Sequence, residues 1–225
     1  MINVSVIVPV FNEEKTLGSI LGELLKVKEV TQIIVVDDGS IDRSVKVVKK
    51  FKDKKLILIQ QRNQGKGAAI RKALEKVKHE YVLIQDADLE YHPEDIKLLI
   101  HPLEKRPNVK VVYGSRFLGP RTNLLFWHML GNNILNLTVN VLYDTTLSDM
   151  ETCYKLLPTA LLKELNLTSN GFEIEPEITC KLLRKGHRIY EVPISYFGRD
   201  FKEGKKITWR DGFKALWSVV KYRFN

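Results

Sequence analysis

Short apolar runs alternate with amphipathic segments through the first half of the chain. The runs cover residues 4–10, 32–36, 56–59, 81–84 and 109–113. Between them, segments such as residues 17–25 and 93–105 repeat apolar side chains at intervals of three and four, which is typical of helices that cover a core. Strands that alternate with helices form parallel sheets, because each helix returns the chain to the start of the next strand. The pattern therefore predicts an α/β fold with an open, mostly parallel sheet and flanking helices.

A polar cluster follows each of these predicted strands. The clusters are Asn12-Glu13, Asp37-Asp38, Gly65-Lys66-Gly67, Asp86 with Asp88, and Arg116. In open parallel sheets, ligands bind beyond the carboxyl ends of the strands. Turn chemistry explains a single cluster, but a cluster after every strand predicts a binding site at that edge of the sheet.

Carboxylates follow the predicted strand at residues 81–84. Asp86 and Asp88 are one residue apart, and a third acid follows at Glu90. Carboxylates at the end of a buried strand need a compensating cation, and oxygen ligands suit Mg²⁺ or Mn²⁺. The alternative is that Asp86 and Asp88 only cap the turn before a helix that Pro93 opens.

The segment Gly65-Lys66-Gly67 begins a predicted helix and offers backbone N–H groups and a cation to a phosphate. Its spacing matches neither the P-loop nor the dinucleotide-binding pattern, and a solvated turn is the alternative. Asp37 and Asp38 suit hydrogen bonds to a ribose or a base, although they also suit the end of a strand.

The net charge of +9 and the isoelectric point of about 9.4 indicate an anionic partner. Nucleotides, phosphates, nucleic acids and anionic lipids all fit that description. The cysteines, Cys153 and Cys180, have no metal-ligand spacing, which predicts buried free thiols in a reducing compartment.

The second half of the chain is less regular. Residues 122–143 carry no charge but contain several asparagines, so we expect a buried or membrane-adjacent segment with a polar packing seam. We predict a helix at residues 173–185 and a strand at residues 188–196. The loop at residues 199–206 suits a mobile lid as well as a solvated loop. Phe213, Trp217 and Phe224 lie on one side of a C-terminal helix that either docks on the core or binds a membrane surface.

Taken together, these segments resemble family 2 glycosyltransferases, specifically the polyprenyl-phosphate branch that includes dolichol-phosphate mannose synthase. The matching motifs are residues 8–14, 36–40, 65–67, 86–88, 114–116, 149–152 and 191–194. Each motif is weak alone, but their order and spacing are specific. Related proteins often have Gln at the position of Glu90, which is a departure in this chain.

The resemblance implies a GT-A fold in a catalytic domain at residues 1–206, followed by an amphipathic, membrane-interfacial helix at residues 207–225. It also implies roles for individual residues. Donor-sugar nucleotide binding is implied for Pro9, Phe11, Glu13, Asp37, Asp38, Lys66, Asp86 and Ala87. A Mg²⁺ or Mn²⁺ ion is implied at Asp86, Asp88 and Glu90. The acceptor phosphate is implied at Arg116, Arg121 and Arg199, and catalytic roles are implied for Asp88, Asp149 and Arg116, with Glu151 as an alternative base to Asp149.

The implied reaction is inverting transfer of a glucose- or mannose-type hexose from a UDP- or GDP-sugar to a polyprenyl or dolichyl phosphate. We expect this to occur in the cytoplasm, with the protein peripheral on the inner face of the cell membrane. A glycolipid or polysaccharide hydroxyl is the alternative acceptor. A basic nucleic-acid-binding domain is a distant alternative, because the chain has no nucleic-acid-binding motif, and we expect no nucleic acid as a partner.

Overall fold

The computed structural model describes residues 2–122, 125–198 and 209–224, without the side chains of residues 209 and 210. Its strands are β1 (Val4–Val10), β2 (Val30–Asp38), β3 (Leu56–Gln61), β4 (Tyr81–Ile84), β5 (Val111–Ser115), β6 (Lys155–Pro158) and β7 (Ile189–Pro193). Its helices are α1 (Leu17–Lys26), α2 (Ser44–Lys49), α3 (Lys66–Leu74), α4 (Ile96–Lys105), α5 (Phe126–Tyr143), α6 (Thr159–Glu164), α7 (Ile174–Arg184) and α8 (Trp209–Phe224). A 3₁₀ turn, Pro93–Asp95, precedes α4.

The strands form one sheet in the order β3-β2-β1-β4-β6-β5-β7. Neighbouring strands are parallel except at β6, which runs antiparallel between β4 and β5. The prediction of an open, mostly parallel sheet is therefore confirmed. The sequence patterns did not predict β6, which has four residues and begins with a buried lysine, Lys155.

Helices cover both faces of the sheet, which explains why the parallel strands are almost entirely apolar. In β1, Val6 and Val8 pack with α1 and α4, while Ile7 between them points to the opposite face and packs with α3 and α7. Alternate side chains of a strand point to opposite faces, so each side of the sheet receives its own apolar layer.

A third apolar cluster lies between α5, α7 and α8. It contains Leu135 and Val139 of α5, Cys180 of α7, and Val219 and Tyr222 of α8. The C-terminal helix is thus docked on the core, while Phe213, Trp217 and Phe224 remain exposed. The docking alternative is therefore confirmed, and membrane binding by the exposed side of α8 stays a prediction.

Within the described residues, no helix combines the length and the apolar character that crossing a membrane requires. Cys153 and Cys180 are buried and form no disulfide, as predicted.

Candidate active site

The carboxyl ends of β1, β2 and β4 bring the predicted polar clusters to one edge of the sheet. In the parallel register, Val10 is the Cα partner of Asp37, and Ile7 is the partner of Ile84, after which the chain turns to Asp86. The prediction that these clusters share one edge is confirmed.

The loops after β1 and β2 are tied together by side-chain hydrogen bonds. The backbone N–H of Asn12 donates to Ser40 Oγ at 2.9 Å, and the N–H of Glu13 donates to Ser44 Oγ at 2.9 Å. Asn12 adopts a left-handed conformation with φ 54°, which asparagine tolerates better than most residues. These bonds fix the turn that carries Pro9, half-buried, and Phe11, more exposed.

Asp38 organises the loop that follows β3. Its Oδ1 accepts hydrogen bonds from Gln61 Nε2 at 2.7 Å and from the N–H of Gln64 at 2.9 Å, and its Oδ2 accepts from the N–H of Gly65 at 2.7 Å. The neighbouring Asp37 is buried, and its Oδ1 has no hydrogen-bond partner among the described residues. Buried polar atoms are normally paired, so Asp37 is the carboxylate of this pair whose hydrogen-bonding capacity is not used up within the described residues.

The glycines of Gly65-Lys66-Gly67 are required by packing. A Cβ on Gly65 would lie 2.4 Å from the carbonyl oxygen of Asn170, and one on Gly67 would lie 2.3 Å from that of Ser169. The N–H of Ala68 also donates to the Asn170 carbonyl at 3.2 Å. The start of α3 is therefore packed tightly against residues 169–170, and the N–H groups of Gly65 and Ala68 are already used within the protein.

Lys66 joins a buried chain of alternating charges. Its Nζ lies 2.7 Å from Asp86 Oδ1 and 2.9 Å from Glu175 Oε1. The other oxygen of Glu175 contacts Lys155 Nζ. Neither Glu175 nor Lys155 follows a predicted strand, so no sequence pattern indicated them as site residues. Burial opposes the charge on Lys66, but Asp86 and Glu175 outweigh it and raise the pKa of Lys66 well above its ordinary value. Asp86 therefore faces a permanent cation.

The three predicted metal ligands differ in their exposure to solvent. Asp86 and Asp88 are both partly exposed at the end of β4, whereas Glu90 is buried and its Oε2 accepts a hydrogen bond from Tyr196 at 2.7 Å. In the part of the chain that the structure describes, no group of three His, Cys, Asp or Glu side chains is arranged to hold a metal alone. A Mg²⁺ ion usually takes only one or two carboxylates, with substrate phosphates and water completing its shell. Asp86 and Asp88 fit that donor set.

Arg116 and Asp149 form a buried, bidentate ion pair. Arg116 Nε donates to Asp149 Oδ2 at 2.8 Å, Nη2 donates to Oδ1 at 2.7 Å, and the backbone N–H of Arg116 also donates to Oδ2. The guanidinium lies 5.3 Å from the ring centre of Tyr196. Asp149 is fully buried and uses both oxygens in this pair. The structure therefore favours Glu151 over Asp149 as a residue that can exchange protons.

Polar side chains support the loop that carries Asp149. Glu191 accepts hydrogen bonds from the N–H groups of Ser148 and Asp149. Asn136 and Asn140 of α5 bond to backbone groups of residues 147, 148 and 150. The asparagine repeat is thus a packing seam, as predicted, and it holds the Asp149 loop. Of the other predicted arginines, Arg121 donates to the Phe117 carbonyl at 2.7 Å, and Arg199 lies outside the described residues, as does the loop at residues 199–206.

Glu151 is the least satisfied acid near this pair. Its Oε1 is buried and has no hydrogen-bond partner among the described residues. Burial raises the pKa of the Glu151 carboxyl to about 7, Lys155 opposes that rise, and Glu175 adds to it. The group therefore titrates near neutral pH, which suits a residue that gains and loses a proton.

We expect Glu151→Gln to change how stability depends on pH. Because folding raises the pKa of this carboxyl from 4.5 to about 7, the folded state binds its proton more tightly. The free energy of unfolding should therefore fall as the pH rises through this interval, by about 1–3 kcal/mol, and the glutamine variant should lack this fall. Urea unfolding at several pH values, with the exposed Glu104→Gln as a control, measures it. Parallel pH profiles for wild type and Glu151→Gln would contradict the assignment.

Comparison with protein families matches residues 5–165 to the model described as Glycosyl transferase family 2. An uncharacterized protein of Methanocaldococcus jannaschii is 28% identical over 232 residues, covering 97% of this chain and 98% of that protein. Glycosyltransferase AglJ of Haloferax volcanii is 26% identical over 198 residues, covering 87% of this chain and 63% of AglJ.

Solved structures with the same architecture include glucosyl-3-phosphoglycerate synthase from Mycobacterium tuberculosis. Its complex with Mn²⁺, uridine diphosphate and glucosyl-3-phosphoglycerate has a TM-score of 0.78 at 16% identity, covering 99% of this chain and 80% of that chain. Its complex with Mg²⁺ and uridine diphosphate has a TM-score of 0.75 at 17% identity, covering 99% and 79% of the two chains. At this identity the likeness shows the fold, and it confirms the GT-A fold.

Proposed function

The chain belongs to glycosyl transferase family 2 and is a glycosyltransferase, and we propose that it moves a glucose- or mannose-type hexose from a nucleoside diphosphate sugar to a polyprenyl phosphate. The family match supports the membership of the family and the glycosyltransferase activity. The donor, the acceptor, the inverting stereochemistry and the polyprenyl-phosphate branch of the family belong to the proposal.

The observation that carries the proposal is the arrangement of cations around the carboxylates after β4. Lys66 reaches Asp86 from the start of α3. On the side of β5, Arg116 lies over Tyr196, whose hydroxyl donates to Glu90. A reaction between a sugar diphosphate and a lipid phosphate brings two sets of phosphate oxygens together, and each set requires positive charge.

We assign the donor to the carboxyl ends of β1 and β2. Asp37 has a buried oxygen with no hydrogen-bond partner among the described residues, which we assign to a base or ribose, while Asp38 holds the loop at residues 64–65. We also assign Pro9, Phe11 and Glu13 to the base and ribose, and Lys66 and Ala87 to the diphosphate. The related synthase of known structure binds uridine diphosphate, and we include both UDP- and GDP-sugars in the test below.

We assign a divalent cation, Mg²⁺ or Mn²⁺, to Asp86 and Asp88. When bound, such an ion neutralises charge that develops on the leaving diphosphate. Glu90, a predicted ligand, bonds to Tyr196, so we reserve direct ligation for the other two carboxylates. The protein itself contributes Lys66, whose position between Asp86 and Glu175 holds a cation beside the diphosphate.

The acceptor side is assigned to Arg116 and Arg121. Asp149 holds Nε and Nη2 of Arg116, which directs the remaining edge of the guanidinium, with Nη1, toward an acceptor phosphate. A phosphate acceptor is ionised near neutral pH and attacks without a strong base, which agrees with a site built from carboxylates and cations. The alternative acceptor, a glycolipid or polysaccharide hydroxyl, requires a base, and the near-neutral pKa of Glu151 is the observation that favours it.

Ligand-dependent thermal stability tests the donor, and product analysis tests the acceptor. Ligands that bind only the native state raise the melting temperature. We expect one UDP- or GDP-hexose with Mn²⁺ to raise it, and we expect the exposed control Glu94→Gln to respond as the wild type does. With the donor identified, incubation with a short-chain polyprenyl phosphate should yield a lipid-linked sugar phosphate. Transfer only to a glycolipid or polysaccharide hydroxyl would replace the proposal with its alternative.

A further inference from the structure

The outward face of α5 carries large apolar side chains along its whole length, together with the exposed amide of Asn133. The exposed large apolar side chains on it are Phe126, Trp127, Leu130, Ile134, Leu137 and Val141. Trp127 is 76% exposed, Leu137 is 64% exposed and Val141 is 72% exposed. Their spacing of three and four places them on one stripe, while Leu135, Asn136 and Val139 are buried on the opposite side. Surface helices normally direct polar residues outward, so this face requires an explanation.

Charge is absent from α5 as well. Residues 126–143 contain no Asp, Glu, Lys or Arg. Monomeric soluble proteins rarely expose contiguous apolar patches larger than a few hundred Å². An uncharged stripe of large side chains along an 18-residue helix therefore indicates a surface that something else covers.

The neighbouring helix α8 presents a second exposed stripe with a different character. Phe213, Trp217 and Phe224 are exposed, while Ala215, Val219 and Tyr222 are buried on the opposite side. The exposed cations Lys214, Lys221 and Arg223 flank the aromatic stripe. Asp211 is the only acid in residues 209–224.

The two helices that carry these stripes are direct neighbours in the fold. They pack against α7 and against each other through the shared apolar cluster, and Tyr143 Oη donates to the Val219 carbonyl at 2.9 Å. Arg223 lies 5.7 Å from the ring centre of Tyr143. Both stripes point away from that cluster, and we call them together the α5–α8 face.

We propose that the α5–α8 face is a docking surface for a bilayer that contains anionic lipids. The apolar stripes enter the boundary of the acyl chains, and the flanking lysines extend their ammonium groups to the headgroups. A second copy of the chain is the less favourable occupant. A two-fold interface places the same patch on both sides, so Lys214, Lys221 and Arg223 would face the same cations of the other copy.

The proposal rests on the proposed lipid acceptor and deepens it. The side of α5 opposite the exposed stripe bonds through Asn136 and Asn140 to residues 147, 148 and 150, which surround Asp149. A bilayer bound to the outward face of α5 therefore lies one helix away from the loop that holds Arg116. A lipid phosphate would reach the site without leaving the membrane surface.

Vesicle co-sedimentation of the whole chain tests the surface. We expect binding to vesicles of phosphatidylcholine with phosphatidylglycerol, and weaker binding to phosphatidylcholine alone or at high salt. Leu137→Glu with Val141→Glu should lower the bound fraction about fivefold or more, since charge on the apolar face opposes insertion. Leu98→Glu, an exposed leucine on α4, is the matched control and should bind as the wild type does. Circular dichroism and donor binding verify that each variant is folded.

Two results would overturn the surface assignment. One is equal vesicle binding by the wild type and the α5 double variant. The other is a wild-type dimer in sedimentation velocity that the double variant converts to a monomer, with no vesicle binding by either. Activity on a short-chain, water-soluble polyprenyl phosphate separates this from the proposed function. Vesicle binding without such activity would refute the acceptor and leave the surface supported.

Discussion

Replacing Asp88 with Asn is expected to lower kcat by about 100-fold or more, because transition-state charge on the diphosphate loses a counter-ion. The folded protein should be little affected. Asp88 is partly exposed, and its Oδ1 accepts a hydrogen bond from the N–H of Glu90 that an amide oxygen can also accept. Steady-state kinetics and thermal unfolding measure the two effects, and a chelator such as EDTA should abolish turnover of the wild type.

The same change at Asp86 should affect stability as well as activity, for a reason that the structure shows. Asp86 pairs with the buried Lys66, and removing one partner of such a pair leaves the other charge uncompensated. Asp86→Asn should therefore lower both activity and stability, the latter by as much as about 3 kcal/mol. Glu94→Gln, a similar change at an exposed position nearby, should alter neither. Full wild-type activity in EDTA, together with an active Asp88→Asn, would remove the metal from the proposal.

Replacing Arg116 with Ala should raise the KM for polyprenyl phosphate by about 10-fold or more, because the variant loses the guanidinium edge, with Nη1, that we assign to the phosphate. Donor affinity should change little, since the contacts of Arg116 lie with Asp149 and Tyr196. The variant should also be less stable by about 3–5 kcal/mol, because Asp149 is left as a buried, unpaired charge.

The double variant Arg116→Ala with Asp149→Asn separates these two effects. Removing both charges relieves the unpaired carboxylate, so stability should recover in part. Binding of the lipid phosphate should stay weak, because the guanidinium is still missing. Arg106→Ala, at an exposed arginine that lies over Tyr190, is a matched control for the loss of a guanidinium. Weakened donor binding with intact acceptor binding in Arg116→Ala would show that the assigned role is wrong.

The positions of strands β1 to β5 along the chain were predictable, because burial acts directly on residue type. Strands β1, β2 and β4 are covered on both faces, so most of their residues are apolar. The short strand β6 was not predictable. Its first residue, Lys155, is fully buried, and its burial depends on Glu175, which is 20 residues away in the chain. A charged residue is predicted to be exposed unless its distant partner is known.

The candidate site residues were also predictable only in part. Asp37, Asp38, Asp86, Asp88 and Arg116 are visible in the sequence, because turn chemistry does not explain a polar cluster after every predicted strand. The sequence does not show which of these residues hold the protein's own loops and which remain for a ligand. From the sequence alone, the asparagines of α5 and the glycines of residues 65–67 suit packing and ligand binding equally well. The structure distinguishes the two roles because it shows the opposing atoms, such as the Asn170 carbonyl beside Gly65.

The sequence by itself therefore determined the α/β class, the edge of the sheet at which the polar clusters gather and the residue types found there, since periodicity and strand ends are local properties. Only the tertiary structure showed that Asp38 holds a loop through hydrogen bonds, while one buried oxygen of Asp37 has no partner among the described residues. It also showed that Lys66 and Lys155 both pair with Glu175. It also decided that Asp149 is held by Arg116 and that α5 turns its apolar stripe outward. Pairing of charges and exposure of a helix face depend on residues far apart in the chain, and only folding brings them into contact.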